Sequence, residues 1–512
     1  MRKMDKNRRY IYDPLYGAIY LPDFIWGIIS CPELQRLREV RLCNINSFSL
    51  TGAANINRYE HSIGTFHLAQ ECLNSWPLLN PIEEKEQKLF LLAALLHDVS
   101  SAAFGHSLQY VESKYGFEHE AFKYAVTGEK GDSYSYKSTT LEPIFFGMGR
   151  ELLSKISVKD LDEIDKIIKG EGRFGPLINS IMDLDNIDNV FRLVYHIGLV
   201  KSGEIPLKLA RSLYIENNKL IVRKEAVPLV EEWHKVRKRL YLLLLLNPEE
   251  FSAKCMLTEA IELAKEKEMH PFNWYDVDFE LLQKLSKASS ETSNIISRLM
   301  KGQLYGCIGI FSTLKIDKYE LFIDMNERRE LENKLSENIK TKYLTTIDSS
   351  FKDIIDRKEI PNILREALST IGYDLSNKAI IRSSGENKWK IEHKSHRYLM
   401  KQVNKGIEVY KLIPKYKNIK VAIYPVQDVN KTERQICIQT DDDRVIKIGK
   451  SSRQLLMGVF FKNATLNMYK IRDIPNDTMH KIRQKVYRYL SNILEDPNLQ
   501  EVDLYGEIKE CG

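Results

Sequence analysis

Apolar residues recur three and four apart from about residue 23 to about residue 300, with few strand-like alternations, which predicts a run of helices. Between Lys85 and Leu96 the stretch Leu89, Phe90, Leu91, Leu92, Ala93, Ala94, Leu95, Leu96 leaves the final turns no polar face. That helix is expected to be central and buried. Further helices are predicted over His61–Asn74, Gly175–Tyr195, Val227–Leu246 and Cys255–Lys265. Asn247-Pro248 separates the last two, stopping one helix and starting the next. Gly128–Tyr136 is rich in Gly, Ser and Asp and reads as a surface loop. After about residue 305 the texture changes. Tyr319–Ile323, Lys388–Ile391, Gly406–Ile413, Ile419–Pro425, Gln435–Thr440 and Val445–Ile448 look like short strands, and Asp477–Leu494 like a helix. The expected fold is mainly α: an all-helical domain over residues 1–305, then a smaller α+β domain over residues 306–512.

A chain of 512 residues exceeds what one hydrophobic core usually serves, which agrees with two domains. Hydrophobic residues at 43% and charged residues at 29% are ordinary for a globular protein, and no run of eighteen apolar residues predicts a membrane span. The opening Met1-Arg2-Lys3-Met4-Asp5-Lys6-Asn7-Arg8-Arg9 is charged and precedes no apolar signal core, so a cytoplasmic location is expected. Seven cysteines without a C-x-x-C pair argue against a disulfide framework and against a thiolate zinc site. A net charge of +6 is compatible with anionic ligands without demanding nucleic acid.

The chemistry concentrates at His97-Asp98, which ends the apolar run Leu89–Leu96. Burying an unsatisfied imidazole or an unpaired carboxylate costs several kcal/mol, and a metal ion would offset that cost. Imidazole with carboxylate suits a divalent cation such as Mn²⁺, Fe²⁺, Zn²⁺ or Mg²⁺. Consecutive helical residues point about 100° apart, so other segments must complete the site. Two such segments are Arg58-Tyr59-Glu60-His61-Ser62-Ile63-Gly64 and Met182-Asp183-Leu184-Asp185-Asn186-Ile187-Asp188. An HD dipeptide alone is weak, whereas the ordered set H…HD…D on helical segments is far more specific.

These three segments resemble the signature of HD-superfamily deoxynucleoside triphosphate triphosphohydrolases. Asp13-Pro14-Leu15-Tyr16-Gly17 and Cys31-Pro32-Glu33-Leu34-Gln35-Arg36-Leu37-Arg38 are similar to that family's opening elements. The resemblance spans residues 13 to about 260 and implies His61, His97, Asp98 and Asp185 as metal ligands, with Asp183 and Asp188 structural. It implies that Arg58 grips a phosphate, as bidentate guanidinium contacts do well. It places Arg237, in Trp233-His234-Lys235-Val236-Arg237-Lys238-Arg239-Leu240-Tyr241, at a comparable phosphate position, with Tyr241 in the substrate site. A basic, solvated helix face is the other reading of that stretch. His106 and His119 match histidines brought to the phosphates, one of them as general acid, with Asp98 also counted in the catalytic set. Leu42, Asn189 and Leu193 stand at sugar-recognition positions, and Gln35 and Arg38 at a nucleotide activator site. The family further implies a homo-oligomer and a role in nucleotide-pool balance or antiviral defence.

The sequence departs from the family pattern. His97-Asp98 is followed by Val99-Ser100-Ser101, so a serine replaces the usual second histidine, and a hydroxyl cannot carry its positive charge. Gln109 replaces the acidic partner of His106, with Glu112 one turn further on, while Ser30 replaces an aspartate that reads guanine. A different nucleotide or phosphoester substrate, or a catalytically weak nucleotide sensor, are the competing readings. Ile448-Gly449-Lys450-Ser451 mimics the end of a P-loop, but Arg444 stands where the earlier glycine belongs, so a strand end is expected. His393 and His396 lie in a basic stretch and read as solvated. The interleaved basic and aromatic residues of Lys388–Lys420 suit nucleic acid or an anionic nucleotide no better than they suit exposed strands.

Overall fold

The structure is a computed structural model. It describes residues 9–43, 55–78, 80–105, 122, 147–266, 273, 275–313, 328–339, 380–383, 388–392, 403–404, 419–423, 435–449, 455–466 and 476–502. The chain divides into two compact units, residues 1–301 with 429–453 and 503–512, and residues 302–428 with 454–502.

The first unit opens with an antiparallel hairpin of β1 (Tyr10–Asp13) and β2 (Gly17–Tyr20). The chain then passes through α1 (Asp23–Ile29), α2 (Pro32–Gln35) and a 3-10 turn over Arg36–Glu39. The two central helices are α3 (Arg58–Asn74) and α4 (Glu84–Leu96). Asn57 starts α3 by accepting the Glu60 N–H at 2.9 Å, which satisfies one of the free donors of the first turn. In α4 the side chains of Leu89, Phe90 and Leu92 through Leu96 are all buried, as their unbroken apolar run predicts. Each large one contributes on the order of 1.5–3 kcal/mol. Next come α5 (Gly147–Leu153), which packs on α1 and α2, α6 (Val158–Ile168), which packs on α4, α7 (Gly175–Ile178), which packs on α6, and α8 (Leu184–His196) and α9 (Glu204–Ala210), which pack on α3. Beyond them come α10 (Val227–Tyr241), α11 (Pro248–Glu266), α12 (Asp278–Ala288) and α13 (Ser290–Met300).

Two features correct the expected pattern. The single helix expected over Gly175–Tyr195 is broken between α7 and α8, because Asp183 leaves the helical region to cap α8, accepting the Asn186 N–H at 2.7 Å. The unit is also not wholly helical. β3 (Leu213–Glu216) and β4 (Lys219–Val222) form a hairpin around Asn217 and Asn218, whose φ of 51° and 59° suit the left-handed two-residue turn that asparagine tolerates. The open edge of β4 is paired in parallel by β10 (Ile436–Thr440), which in turn carries β11 (Val445–Ile448). These two strands, expected in the C-terminal domain, thus satisfy backbone groups in the first unit instead. β11 ends at Ile448 with Gly449 at a φ of 81°, a strand end where the P-loop mimic begins, while Lys450 and Ser451 lie outside the described residues.

The second unit is α+β. β5 (Leu304–Thr313), β9 (Ile419–Ile423), β12 (Leu455–Leu466) and β13 (Gln500–Glu501) form an antiparallel sheet in the order β13-β5-β12-β9. α14 (residues 328–339) and α15 (Asn476–Ile493) supply Leu335, Ile339, Val486 and Leu490 to a core with Ile308, Phe311, Val421, Met457 and Val459. β6 (Ile380–Ser383), β7 (Lys388–Glu392) and β8 (Val403–Asn404) make a separate small sheet. The strands expected over Tyr319–Ile323 and Gly406–Ile413, the loop over Gly128–Tyr136, and His393 and His396 lie outside the described residues. Among the described residues no helix is long and apolar enough to cross a membrane.

Candidate metal centre

Three segments far apart in sequence place their polar side chains at one point. His61 sits on the first turn of α3, which Asn57 caps. His97 follows the last residue of α4, and Asp185 lies in the first turn of α8, which Asp183 caps. His61 Nε2 is 2.8 Å from Asp185 Oδ1 and 3.2 Å from His97 Nε2, and His97 Nε2 is 3.7 Å from Asp185 Oδ1. Asp98 adds Oδ2, at 3.9 Å from His61 Nε2 and 3.8 Å from His97 Nε2. Donors about 2.1 Å from one ion stand roughly 3.0 Å apart at a right angle and roughly 3.4 Å apart in a tetrahedron, so these spacings bracket a single coordination sphere. The group His61, His97, Asp185 can therefore hold a metal ion.

The hydrogen bonds of the centre favour that use. The far nitrogen of each imidazole is already engaged, His97 Nδ1 with the Ala94 carbonyl at 2.9 Å and His61 Nδ1 with Asp188 Oδ2 at 2.7 Å. Once Nε2 gives up its proton to an ion, donation there fixes the tautomer whose Nε2 lone pairs face the common point. Asp98 Oδ1 accepts from Arg58 Nη1 at 2.6 Å and from Ser101 Oγ at 2.9 Å, whereas its buried Oδ2 has no hydrogen-bond partner among the described residues. A buried carboxylate oxygen left so is costly unless a cation meets it. Side-chain exposure is 1% for His61, 6% for His97 and 5% for Asp98 but 32% for Asp185, so solvent reaches the centre from the Asp185 side.

Charge distribution follows from this packing. Burial alone would lower the His61 pKa, but hydrogen bonds and charge from Asp185 and Asp188 outweigh it and hold His61 up to about 10. His97 is likewise raised, burial being outweighed by Asp98 and Asp185. Burial raises Asp98 and Asp185, yet Arg58 with the two histidines pulls Asp98 down, and the two histidines pull Asp185 well below the carboxylate range. Asp183 goes the other way, pushed up to about 7 by burial and the Asp185 charge. A proton on His61 thus supplies positive charge that a cation would bring.

Of the other residues singled out from the sequence, Arg237 is 1% exposed, with its guanidinium carbon 4.7 Å from the Tyr241 ring centroid and 5.8 Å from that of Trp233. It does not lie on a solvated helix face. Asn189 is half-buried one turn after Asp185, and Leu193 is buried. Leu42 donates its N–H to the Ile56 carbonyl at 2.8 Å. Gln35 accepts from Arg38 Nε at 2.9 Å, and Arg38 is exposed with its guanidinium 3.8 Å from the Tyr59 ring centroid. Ser30 is exposed. His106, Gln109, Glu112 and His119 lie outside the described residues.

Several contributors carried no site role in the sequence reading. Arg36 donates to the carbonyls of Val99 at 3.0 Å and Ser101 at 2.8 Å, holding the turn after the HD pair. Gly105, at a φ of 46°, leaves room for the Arg58 guanidinium, since a Cβ there would lie 2.5 Å from Arg58 Nη2. Asp188 and Arg192, spaced as a helical i,i+4 ion pair, were a legible signal.

Residues 58–170 match the HD domain, a span that contains His61, His97 and Asp98, and the chain is similar to deoxynucleoside triphosphate triphosphohydrolases. It is 25% identical over 334 residues to the deoxynucleoside triphosphate triphosphohydrolase SAMHD1 homolog of Dictyostelium discoideum, covering 61% of this chain and 62% of that protein. It is 25% identical over 260 residues to the uncharacterized protein YwfO of Bacillus subtilis, covering 50% of this chain and 55% of that one. The chain thus spans less than two thirds of the length of these relatives. Its fold resembles a crystal structure of a phosphohydrolase from Bacteroides thetaiotaomicron, with a TM-score of 0.52 at 14% identity, covering 89% of this chain and 100% of that one.

Proposed function

We propose that the chain is a metal-dependent phosphohydrolase that cleaves deoxynucleoside triphosphates to deoxynucleoside and inorganic triphosphate. The observation that carries this reading is the convergence of His61 Nε2, His97 Nε2 and Asp185 Oδ1 beside the unpartnered Asp98 Oδ2. His61, His97, Asp98 and Asp185 would hold the ion. When bound, a divalent cation lowers the pKa of water and offsets phosphate charge. Arg58 fixes Asp98 through Nη1 and serves as the phosphate grip that the resemblance implies, with Arg237 and Tyr241 further along the substrate. Water adds to the α-phosphorus and the bond to the sugar oxygen breaks. The departing oxygen then takes a proton, a role proposed for His106 or His119. Asn189, one turn from Asp185, and Leu42 are proposed to face the sugar, Gln35 and Arg38 to bind an activating nucleotide, and the protein to assemble as a homo-oligomer.

A second reading, a nucleotide sensor with little turnover, is favoured by one contact: Ser101, at the usual position of a histidine, spends its hydroxyl proton on Asp98. The test is to incubate purified protein with Mn²⁺ or Mg²⁺ and each dNTP and NTP, with and without a second nucleotide, and to identify products by mass spectrometry. Nucleoside plus triphosphate supports the enzyme. Tight nucleotide binding with turnover no faster than Asp98→Ala replaces it with the sensor.

A further inference from the structure

The far side of His61 is built more elaborately than a helix surface requires. Asp188 Oδ2 meets His61 Nδ1 at 2.7 Å, and the same carboxylate accepts Arg192 Nε at 2.9 Å, Arg192 Nη2 at 3.0 Å and the Tyr16 hydroxyl at 2.8 Å. Arg192 Nη1 continues to Asp13 Oδ2 at 2.8 Å and Glu60 Oε1 at 2.7 Å. Asp13 Oδ1 accepts the N–H groups of Leu15 and Tyr16, both at 2.9 Å, which folds the turn between β1 and β2 so that the Tyr16 hydroxyl reaches Asp188. The backbone makes way for this cluster. A Cβ on Gly64 would stand 2.1 Å from both Arg192 Nη2 and Asp188 Oδ1, so only glycine lets α3 approach them. Arg192 and Asp188 are each 0% exposed.

We infer that Asp188, locked by Arg192, Tyr16 and the Asp13 turn and seated against Gly64, is the positioning residue of the metal centre, so that the N-terminal turn over residues 13–17 helps set metal affinity. This rests on the metal-centre reading. Asp188 touches no substrate and no reacting atom. It acts through His61, holding the ring in one orientation and one tautomer and making Nε2 a better donor. A purely structural ion-pair network would predict a loss of stability alone. The positioning role predicts a loss of affinity in protein that is still folded.

The test titrates the full metal-free chain with Mn²⁺ alone against a chromophoric chelator, and records the Co²⁺ absorption spectrum as a report on ligand geometry. Melting by circular dichroism in excess chelator reads the fold separately. Asp188→Ala is expected to weaken Mn²⁺ binding by about 10–100-fold and to alter the Co²⁺ spectrum. Asp188→Asn keeps an oxygen that can accept from Nδ1 and is expected to recover part of the loss. Tyr16→Phe removes a single hydroxyl from a packed ring and is expected to weaken binding several-fold. It decides the question if Asp188→Ala does not fold. Wild-type affinity in folded Asp188→Ala, or in Tyr16→Phe should the alanine variant not fold, overturns the inference while leaving the metal centre standing. A wild-type chain that binds no metal overturns the metal centre and the inference with it.

Discussion

Titration of the metal-free protein with Mn²⁺ at pH 7 should release protons in a number fixed by His61. With its pKa held up to about 10, His61 is an imidazolium at pH 7, its Nε2 2.8 Å from Asp185 Oδ1. That nitrogen cannot keep a proton and donate its lone pair to an ion, so binding must expel about one proton from this residue alone. From about 10 down to pH 7 is three decades of proton occupancy, so the competition costs roughly 4 kcal/mol, and affinity should rise about tenfold per pH unit above pH 7. The sign for stability follows. The folded pKa lies above the ordinary histidine value of 6.5, so the stabilisation that the imidazolium gives the metal-free protein is full below about pH 6.5 and is lost as pH rises through about 10. Metal-loaded protein has no such proton to lose, so the gap in Tm between loaded and metal-free protein should widen over that window. Calorimetry in buffers of different ionisation enthalpy counts the protons. Binding with none released would refute the reasoning, because the ion would then not be on His61 Nε2.

Arg36→Ala strands the buried carbonyls of Val99 and Ser101, and should cost about 2–5 kcal/mol in denaturant unfolding while lowering metal occupancy. Asp183→Ala removes the cap of α8 and should cost about 1–2 kcal/mol, a few degrees in a melt, with metal still bound. Arg58→Lys retains the charge but not the planar fork, and should reduce kcat/KM by tenfold or more in the product assay, with the melt little changed.

The helical core was legible because Leu89–Leu96 and the periodicity of α3 demand burial wherever they pack, and the candidate metal-holding residues stood out because histidine and aspartate at the end of such a run need a reason. The clamp around His61 was not. Tyr16, Asp13 and Arg192 are ordinary residues singly, and only the approach of α3 to α8, which Gly64 permits, turns them into one network. The β3–β4 hairpin was readable from Asn217-Asn218 but short enough to be absorbed into the surrounding helical pattern. Pairing of β10 with β4 joins positions more than two hundred residues apart, for which local pattern carries no information.

The most direct measurement of the central claim is metal stoichiometry by inductively coupled plasma mass spectrometry after equilibrium dialysis against Mn²⁺, on the wild-type chain and on His61→Ala, His97→Ala and Asp185→Ala. One tightly held equivalent is expected in the wild type and none in the three variants, each still folded. One equivalent retained in any folded variant, or none in the wild type, would contradict it.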